Sequence, residues 1–325
     1  MKQFEVVTVG GALKDIMFYT DQAHVVKNPK DVACQKLLAF EYGAKIPVQE
    51  VFVNYGGGAM NVAVGLKNFG IDVAPMVCVG RDSVGKEIYS HLKSLGISTY
   101  LMRVDAEKKT GFSVVVTSAK DKEHTIFAYK GANDHLEIFG LKDFRTQWFY
   151  VSSSNRKDWA FEFEKITRQT KRNVRIVWNP GERQLREHEK MVRFLPEIEV
   201  LILNKDEAIE LVEHHAPRAT RANLESPRFL LKTIKDMGPQ KVVITQGARG
   251  VVAIDEREYY YYESAMSVHD KIVDTVGAGD AFSSGLVAGL VRWGNFNKAL
   301  KLGMRNSAMV LYRIGAQNGL IKVKL

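Results

Sequence analysis

Asp274-Thr275-Val276-Gly277-Ala278-Gly279-Asp280 puts an unhindered glycine turn, then a carboxylate, at the entrance to a helical pattern. Lys271-Ile272-Val273 before it has the composition of a strand end. Ala281 to Trp293 after it carries Phe282, Leu286, Leu290 and Trp293 at helical spacing. The amides of a first helical turn have no intrahelical acceptor, and the helix dipole makes that end electropositive. Backbone bare of side chains at such an end holds a phosphate. Asp280 in the same turn is unsuited to binding an anion and suited to acting as a base beside one, which points to phosphoryl transfer. The plainer account is an ordinary turn with an N-capping Asp, common at helix starts.

Working outward, strand-like and helix-like stretches alternate. Val6–Val9, Val73–Val79, Trp148–Ser152, Val174–Trp178, Val200–Leu203 and Lys241–Thr245 read as strands. Asn61–Phe69, Gly85–Leu95, Ala160–Thr170 and Asp206–Val212 read as helices, and Gly96 supplies a natural C-terminal stop. This alternation predicts an α/β fold with a mostly parallel central sheet covered on both faces. Two regions break the pattern. Ile97–Val104 and Thr110–Lys130 read as strands joined by the charged turn Asp105–Lys109, with Phe112, Val114, Val116, Ile126 and Ala128 alternating as in half-buried strands. Phe18–Val53 includes a predicted helix at Asp31–Glu41. Together these regions predict a small β lid over the site, from about 16–54 and 97–130, on a single domain spanning 1–325.

A chain of 325 residues with 46% hydrophobic and 26% charged content is ordinary for a globular protein. No apolar run approaches the roughly 18 residues that span a bilayer, so no membrane association is expected. The N-terminus runs directly into a strand-like segment, so no signal peptide is expected. Cys34 and Cys78 lie far apart and give no metal-ligand spacing, so the expected compartment is cytoplasmic. The net charge is +9, but no nucleic-acid motif or aromatic stacking series accompanies the basic residues, so no nucleic-acid partner is expected. A positive field also draws in anionic nucleotides.

Further strings carry chemistry. Gly56-Gly57-Gly58-Ala59-Met60-Asn61 lets backbone approach a ligand, and the Asn61 amide can donate to and accept from hydroxyls; a flexible turn capped by Asn is the alternative. Asp15 can accept two hydroxyl hydrogen bonds from one diol, or is a turn residue. Asn204 and Glu207, three apart at a helix start, share a face, and also fit a capping box. Thr245-Gln246-Gly247-Ala248-Arg249-Gly250 read alone is a hairpin turn. Gly80-Arg81-Asp82-Ser83-Val84-Gly85-Lys86-Glu87 imitates a P-loop, but Glu87 replaces the magnesium-binding hydroxyl and Asp82 would repel phosphate, so that function is rejected.

In this order, and over nearly the whole length from Asp15 to Gln317, these strings resemble the ribokinase-like (PfkB) family of sugar and nucleoside kinases. The resemblance implies a three-layer sandwich with a β lid. It implies that Asp280 takes the acceptor's proton and that the amides of Gly277, Ala278 and Gly279 form the anion hole. Asp15, Gly56, Gly57 and Asn61 would line the acceptor pocket. Asn204, Thr245, Gly247 and Gly250 would meet the nucleotide, with Asn204 and Glu207 holding Mg²⁺ through water. Asp274 and the backbone at Val276 match a monovalent cation site whose second half is similar to Gly315-Ala316-Gln317. Gly319 stands where ribokinases carry a hydroxyl, so K⁺ dependence is left open. The resemblance leaves open a homodimer through the lid. Members that take phosphorylated sugars often carry lysines where this chain has Gly58 and Ile202.

The expected function is therefore an ATP-dependent transfer of the γ-phosphate to a hydroxyl of a small sugar. A nucleoside kinase is the close alternative, with Phe18, Tyr19, Phe112 or Phe127 available to stack on a base. A catalytically idle ligand-binding protein is the alternative of another class, disfavoured by the intact Asp280 turn.

Overall fold

The computed structural model describes residues 1–27, 36–118, 124–264 and 272–325. In chain order the first elements are β1 (Lys2–Val9), β2 (Leu13–Thr20), β3 (His24–Lys27), β4 (Lys36–Ala39), β5 (Glu50–Gly56), α1 (Gly58–Asn68), β6 (Val73–Gly80) and α2 (Ser83–Ser94). There follow β7 (Met102–Asp105), β8 (Gly111–Ser118), β9 (His124–Tyr129), β10 (Phe144–Val151), α3 (Trp159–Thr167), β11 (Arg175–Trp178), α4 (Glu182–Arg186) and α5 (His188–Val192). The last are β12 (Val200–Asn204), α6 (Lys205–His215), α7 (Arg221–Glu225), α8 (Pro227–Asp236), β13 (Lys241–Thr245), β14 (Val251–Ile254), β15 (Tyr260–Glu263), α9 (Ala278–Trp293) and α10 (Phe296–Val310).

A nine-stranded sheet runs β15-β14-β13-β12-β11-β10-β1-β6-β7. It is parallel from β7 to β13 and closes with two antiparallel strands at the β15 edge. Side chains alternate along each strand, so β1 sends Val7 and Val9 into one core and Val6 into another. The first core packs under α3, α6 and α8; the second packs under α1, α9 and α10. The result is the three-layer sandwich that the strand–helix alternation predicts. The chain leaves β1 toward β6 on one side and β10 on the other. The carboxyl ends of these strands thus flank a topological switch point, the usual place for a ligand in an open α/β sheet.

A separate four-stranded sheet, β5-β2-β8-β9, stands beside the large one, and β3 pairs with β4 in a ribbon. Three local expectations are corrected. Ile97–Val104 does not belong to the small sheet: Met102–Asp105 pairs parallel with β6 at the edge of the large one, where its backbone groups find a ladder. The helix expected over Asp31–Glu41 is replaced by strand at Lys36–Ala39, which ladders against His24–Lys27; 31–35 lie outside the described residues. Ile272 and Val273 are not strand, and the Val273 amide instead donates to the Leu311 carbonyl at 2.9 Å. Lys271 lies outside the described residues.

Asp82, in the string that imitates a P-loop, has a structural task. Its carboxylate accepts from the Gly85 amide, capping α2, and from the Thr110 amide and hydroxyl, fixing the approach to β8.

Candidate active site

Gly277 sits at φ +80°, and a Cβ there would lie 2.2 Å from the Ala316 Cβ, so both conformation and space demand glycine. This turn launches α9, whose body is held by close backbone approaches: a Cβ on Gly285 would lie 2.8 Å from the Gly303 Cα of α10. Phe282, Leu286 and Leu290 are buried, whereas Trp293 is 43% exposed because the helix end has passed the edge of the core. Buried Asn306 donates to the Ala281 carbonyl at 2.8 Å, fixing the first turn that carries Asp280. The Ala278 amide donates to the Thr275 carbonyl at 3.3 Å. Gly279 is exposed, and a Cβ there would meet nothing within 4 Å among the described residues, so open space among them adjoins this end of the helix.

Asn61, in the first turns of α1, is buried and donates from Nδ2 to Asp280 Oδ2 at 2.8 Å. Burial pushes the Asp280 carboxyl above its ordinary value, and the Asn61 bond opposes that rise. A Cβ on Gly58 would lie 3.6 Å from Asp280 Oδ1 and 2.8 Å from the Ser152 Cβ, so no side chain fits between these residues. Asp15, on β2, is buried beside Gly56, where a Cβ would overlap its carboxylate. The Ser113 hydroxyl, from the paired position on β8, donates to Asp15 Oδ1. Burial pushes Asp15 upward, the Ser113 bond opposes this, and the negative charges of Asp280 and Asp274 add to it. Asp15, Gly56, Gly58, Asn61 and Asp280 are thereby brought together. Gly57, at φ +98°, packs against the Gly11 carbonyl, which would lie 2.4 Å from a Cβ.

Asn204 and Glu207 form a reciprocal capping box: the Asn204 amide donates to Glu207 Oε2 at 2.8 Å and the Glu207 amide to Asn204 Oδ1 at 2.9 Å. Burial raises the Glu207 carboxyl, and the Asn204 amide bond opposes it. Oε2 accepts this bond and Oε1 has no hydrogen bond among the described residues, so the carboxylate keeps oxygen chemistry suited to Mg²⁺ or to its waters. Asn204 and Thr245 are register partners at the carboxyl ends of β12 and β13. Gly247 and Gly250 lie in the hairpin to β14, at φ +56° and +90°. Tyr150 on β10 is fully buried, and burial, with the charges of Asp280 and Glu207 adding to it, pushes its hydroxyl upward. Asp274 binds the Val276 amide through Oδ1 at 3.0 Å and the Gly315 amide through Oδ2 at 2.9 Å, tying the α9 turn to the C-terminal loop. Its carboxylate retains lone pairs suited to a monovalent cation.

Register decides which lid aromatics face Asp15. Phe18 on β2, Phe112 on β8 and Phe127 on β9 all occupy the opposite face of the small sheet. Tyr19 and Phe52 share the Asp15 face and meet edge to face at 6.0 Å. A void beneath Ser152, lined by Trp159, Phe163 and Trp178, has about 30 Å³ of room, space for one water and not for a sugar.

Sequence reasoning missed Ser113, whose role arises only from strand pairing. It also missed His91, an isolated helical histidine, and the Gln317 side chain, which was noticed only as part of a cation-site string.

An acid at a glycine-launched helix N-terminus, held by Asn61 near a sheet switch point, has the chemistry that an α/β phosphotransferase needs. The model of the pfkB family carbohydrate kinases matches residues 31–323, and the chain belongs to that family. It is thus an ATP-dependent phosphotransferase. It is 27% identical to the ribokinase of Haemophilus influenzae over 284 residues, covering 86% of this chain and 88% of that protein. It is 24% identical to the ATP-dependent 6-phosphofructokinase of Thermoanaerobacterium thermosaccharolyticum over 328 residues, covering 97% and 90%. The fold matches the nucleoside kinase of Burkholderia thailandensis in complex with inosine with a TM-score of 0.77 at 16% identity, covering 97% of this chain and 92% of that one. No described helix is long and apolar enough to cross a membrane.

Proposed function

We propose that this kinase phosphorylates a hydroxyl of a small neutral sugar, with Asp280 as the base. The observation that carries this is the Asp280–Asn61 pair at a helix N-terminus that adjoins open space at Gly279. Asp280 accepts the hydroxyl proton as that oxygen attacks the γ-phosphorus in line. The amides of Gly277, Ala278 and Gly279 receive the charge spread over the phosphoryl oxygens, the Ala278 amide giving up its long bond to Thr275. Asp15, Gly56, Gly57 and Asn61 hold the acceptor; Asn204, Thr245, Gly247 and Gly250 hold ATP. Asn204 and Glu207 would hold Mg²⁺ through water, and the ion would supply neutralisation of phosphate charge when bound. Asp274 and the Val276 backbone are the proposed K⁺ site.

The small sheet would act as a lid of the single domain and exclude water, a competing acceptor. Its outward face exposes Val51, Val53 and Phe127, and we assign that face to pairing with a second copy. An ATP-using enzyme with a reduced, buried Cys78 fits the cytoplasm.

A nucleoside acceptor is the second reading, favoured by the Tyr19–Phe52 pair on the Asp15 face. Against a phosphorylated acceptor, Gly58 offers no cation, and Ser152 blocks any side chain there. A panel of sugars, sugar phosphates and nucleosides with Mg·ATP, read by ADP release with and without K⁺, tests all of these. Release dependent on neutral sugars is expected. Release only with nucleosides selects the second reading, and no acceptor-dependent release favours an idle binder.

A further inference from the structure

Behind Asp280 three hydrogen bonds run in series. Asn61 Nδ2 lies 2.8 Å from Asp280 Oδ2, Gln317 Nε2 lies 2.9 Å from Asn61 Oδ1, and His91 Nε2 lies 3.0 Å from Gln317 Oε1. The series joins α9, α1, the C-terminal loop and α2. We propose that His91 is a positioning residue that fixes the direction of this series and so keeps Asp280 in its proton-accepting form. The inference rests on the assignment of Asp280 as base.

The direction follows from which atoms can donate. An ionised carboxylate only accepts, so Asn61 must turn its NH₂ to Asp280. That leaves the Asn61 oxygen toward Gln317, which must then present its own NH₂. The Gln317 oxygen is left facing His91, whose Nε2 must carry a hydrogen. The reverse direction is also self-consistent. A protonated Asp280 would donate to the Asn61 oxygen, Asn61 to the Gln317 oxygen, and Gln317 to a bare His91 Nε2. Each direction therefore belongs to one protonation state of Asp280, and the His91 end biases the choice. Amides do not relay protons readily, so the series orients groups and does not conduct.

The His91 ring packs on Tyr55 of β5, centroids 4.6 Å apart, which holds its Nε2 against the Gln317 oxygen, and the tautomer it carries then sets the direction. One turn earlier on α2, Glu87 pairs with Lys14 of β2 at 2.7 Å and is taken up by that bond. Among the described residues, the titratable groups that act with Asp280 are Asp15 from β2 and Tyr150 from β10, neither of which supplies a positive charge at neutral pH. The amide of Asn61 is thus the group that favours the ionised form.

The test compares H91F, which keeps a ring against Tyr55 and removes the N–H, with H91Q, which restores an amide donor. Single-turnover phosphoryl transfer is followed against pH with Mg·ATP and the best acceptor of the panel. H91F should lose about three- to tenfold in rate near the acidic limb, with that limb moved upward by about half to one pH unit and KM for ATP unchanged. H91Q should recover most of the loss, and H91F should add nothing in a D280N background. An H91F profile equal to wild type, no recovery in H91Q, or the same further loss in D280N overturns the proposal. D280N alone decides the base assignment: if it is inactive while H91F is silent, only the His91 inference fails. Nitrogen NMR of the unmutated protein reads the tautomer without a variant that must fold. Hydrogen on Nε2 is expected, and hydrogen on Nδ1 alone contradicts the proposal.

Discussion

Asn61 and Asp280, separated by 219 positions in the chain, meet through a 2.8 Å hydrogen bond that joins the first turns of α1 and α9. Each helix begins at a glycine of positive φ, Gly57 at +98° and Gly277 at +80°, so both ends present backbone without side chains in the way. The bond therefore couples the proposed acceptor side to the proposed phosphoryl side. A displacement of either helix start changes the other.

Gly277 and Gly279 should respond differently to alanine. Gly277→Ala forces a left-handed backbone and overlap with Ala316, and should lower the melting temperature sharply. Gly279→Ala fits the free protein, since nothing among the described residues lies within 4 Å of the added carbon, and should leave melting unchanged or raised. Its methyl group would enter the space assigned to phosphate, costing tenfold or more in kcat, roughly 1.4 kcal/mol. Thermal melts and steady-state kinetics on both variants check the pair. A fully active Gly279→Ala would contradict an anion site there.

The pH dependence has a definite sign. Burial raises the Asp280 carboxyl, so the acidic limb of kcat/KM should lie above the ordinary carboxylate range, with activity lost as pH falls through it. For folding, a raised carboxyl means that the native state binds the proton more tightly than the unfolded chain. Asp280 therefore costs stability at neutral pH, and that cost is relieved as pH falls through the raised value toward the ordinary one. Asp280→Asn should accordingly melt a few degrees higher than wild type at pH 7, with the gap closing in acid. Equal melting at all pH values would contradict the burial argument.

Much of this site was legible locally. A glycine turn followed by an apolar 3.6-residue pattern identified α9, and the alternation of segments identified the parallel sheet, because both are short-range patterns. What was not legible depended on distant partners. Met102–Asp105 is four residues long and carries no mark of whether it ladders against β6 or against the small sheet. Lys36–Ala39 reads as helix until His24–Lys27 pairs with it. Phe18 and Tyr19 look equally able to stack on a base; only strand register puts them on opposite faces of the lid. Asn204 and Glu207 carry a capping pattern and a metal-site pattern in the same letters. The coordinates show the capping bonds.

Asp15 should govern acceptor affinity. Asp15→Asn keeps an oxygen that can accept from Ser113 but removes the charge, so KM for the acceptor should rise roughly tenfold or more, as expected for a hydrogen bond to a charged group. KM for ATP should stay near wild type. A rise confined to ATP would move Asp15 out of the acceptor pocket.

Glu207 should govern magnesium. Glu207→Gln can still accept the Asn204 amide, so α6 should keep its start and the melting temperature should hold. Loss of the carboxylate should raise the Mg²⁺ concentration needed for half-maximal activity. A magnesium titration at fixed ATP measures this, and an unchanged titration would leave the capping box as the whole role of Glu207.

The most direct measurement is single-turnover phosphoryl transfer by Asp280→Asn alongside its ATP affinity. Loss of the general base should slow transfer by about 10²- to 10⁴-fold while ATP still binds, because the helix-end amides remain. Transfer near the wild-type rate in a folded, ATP-binding Asp280→Asn protein would contradict the account.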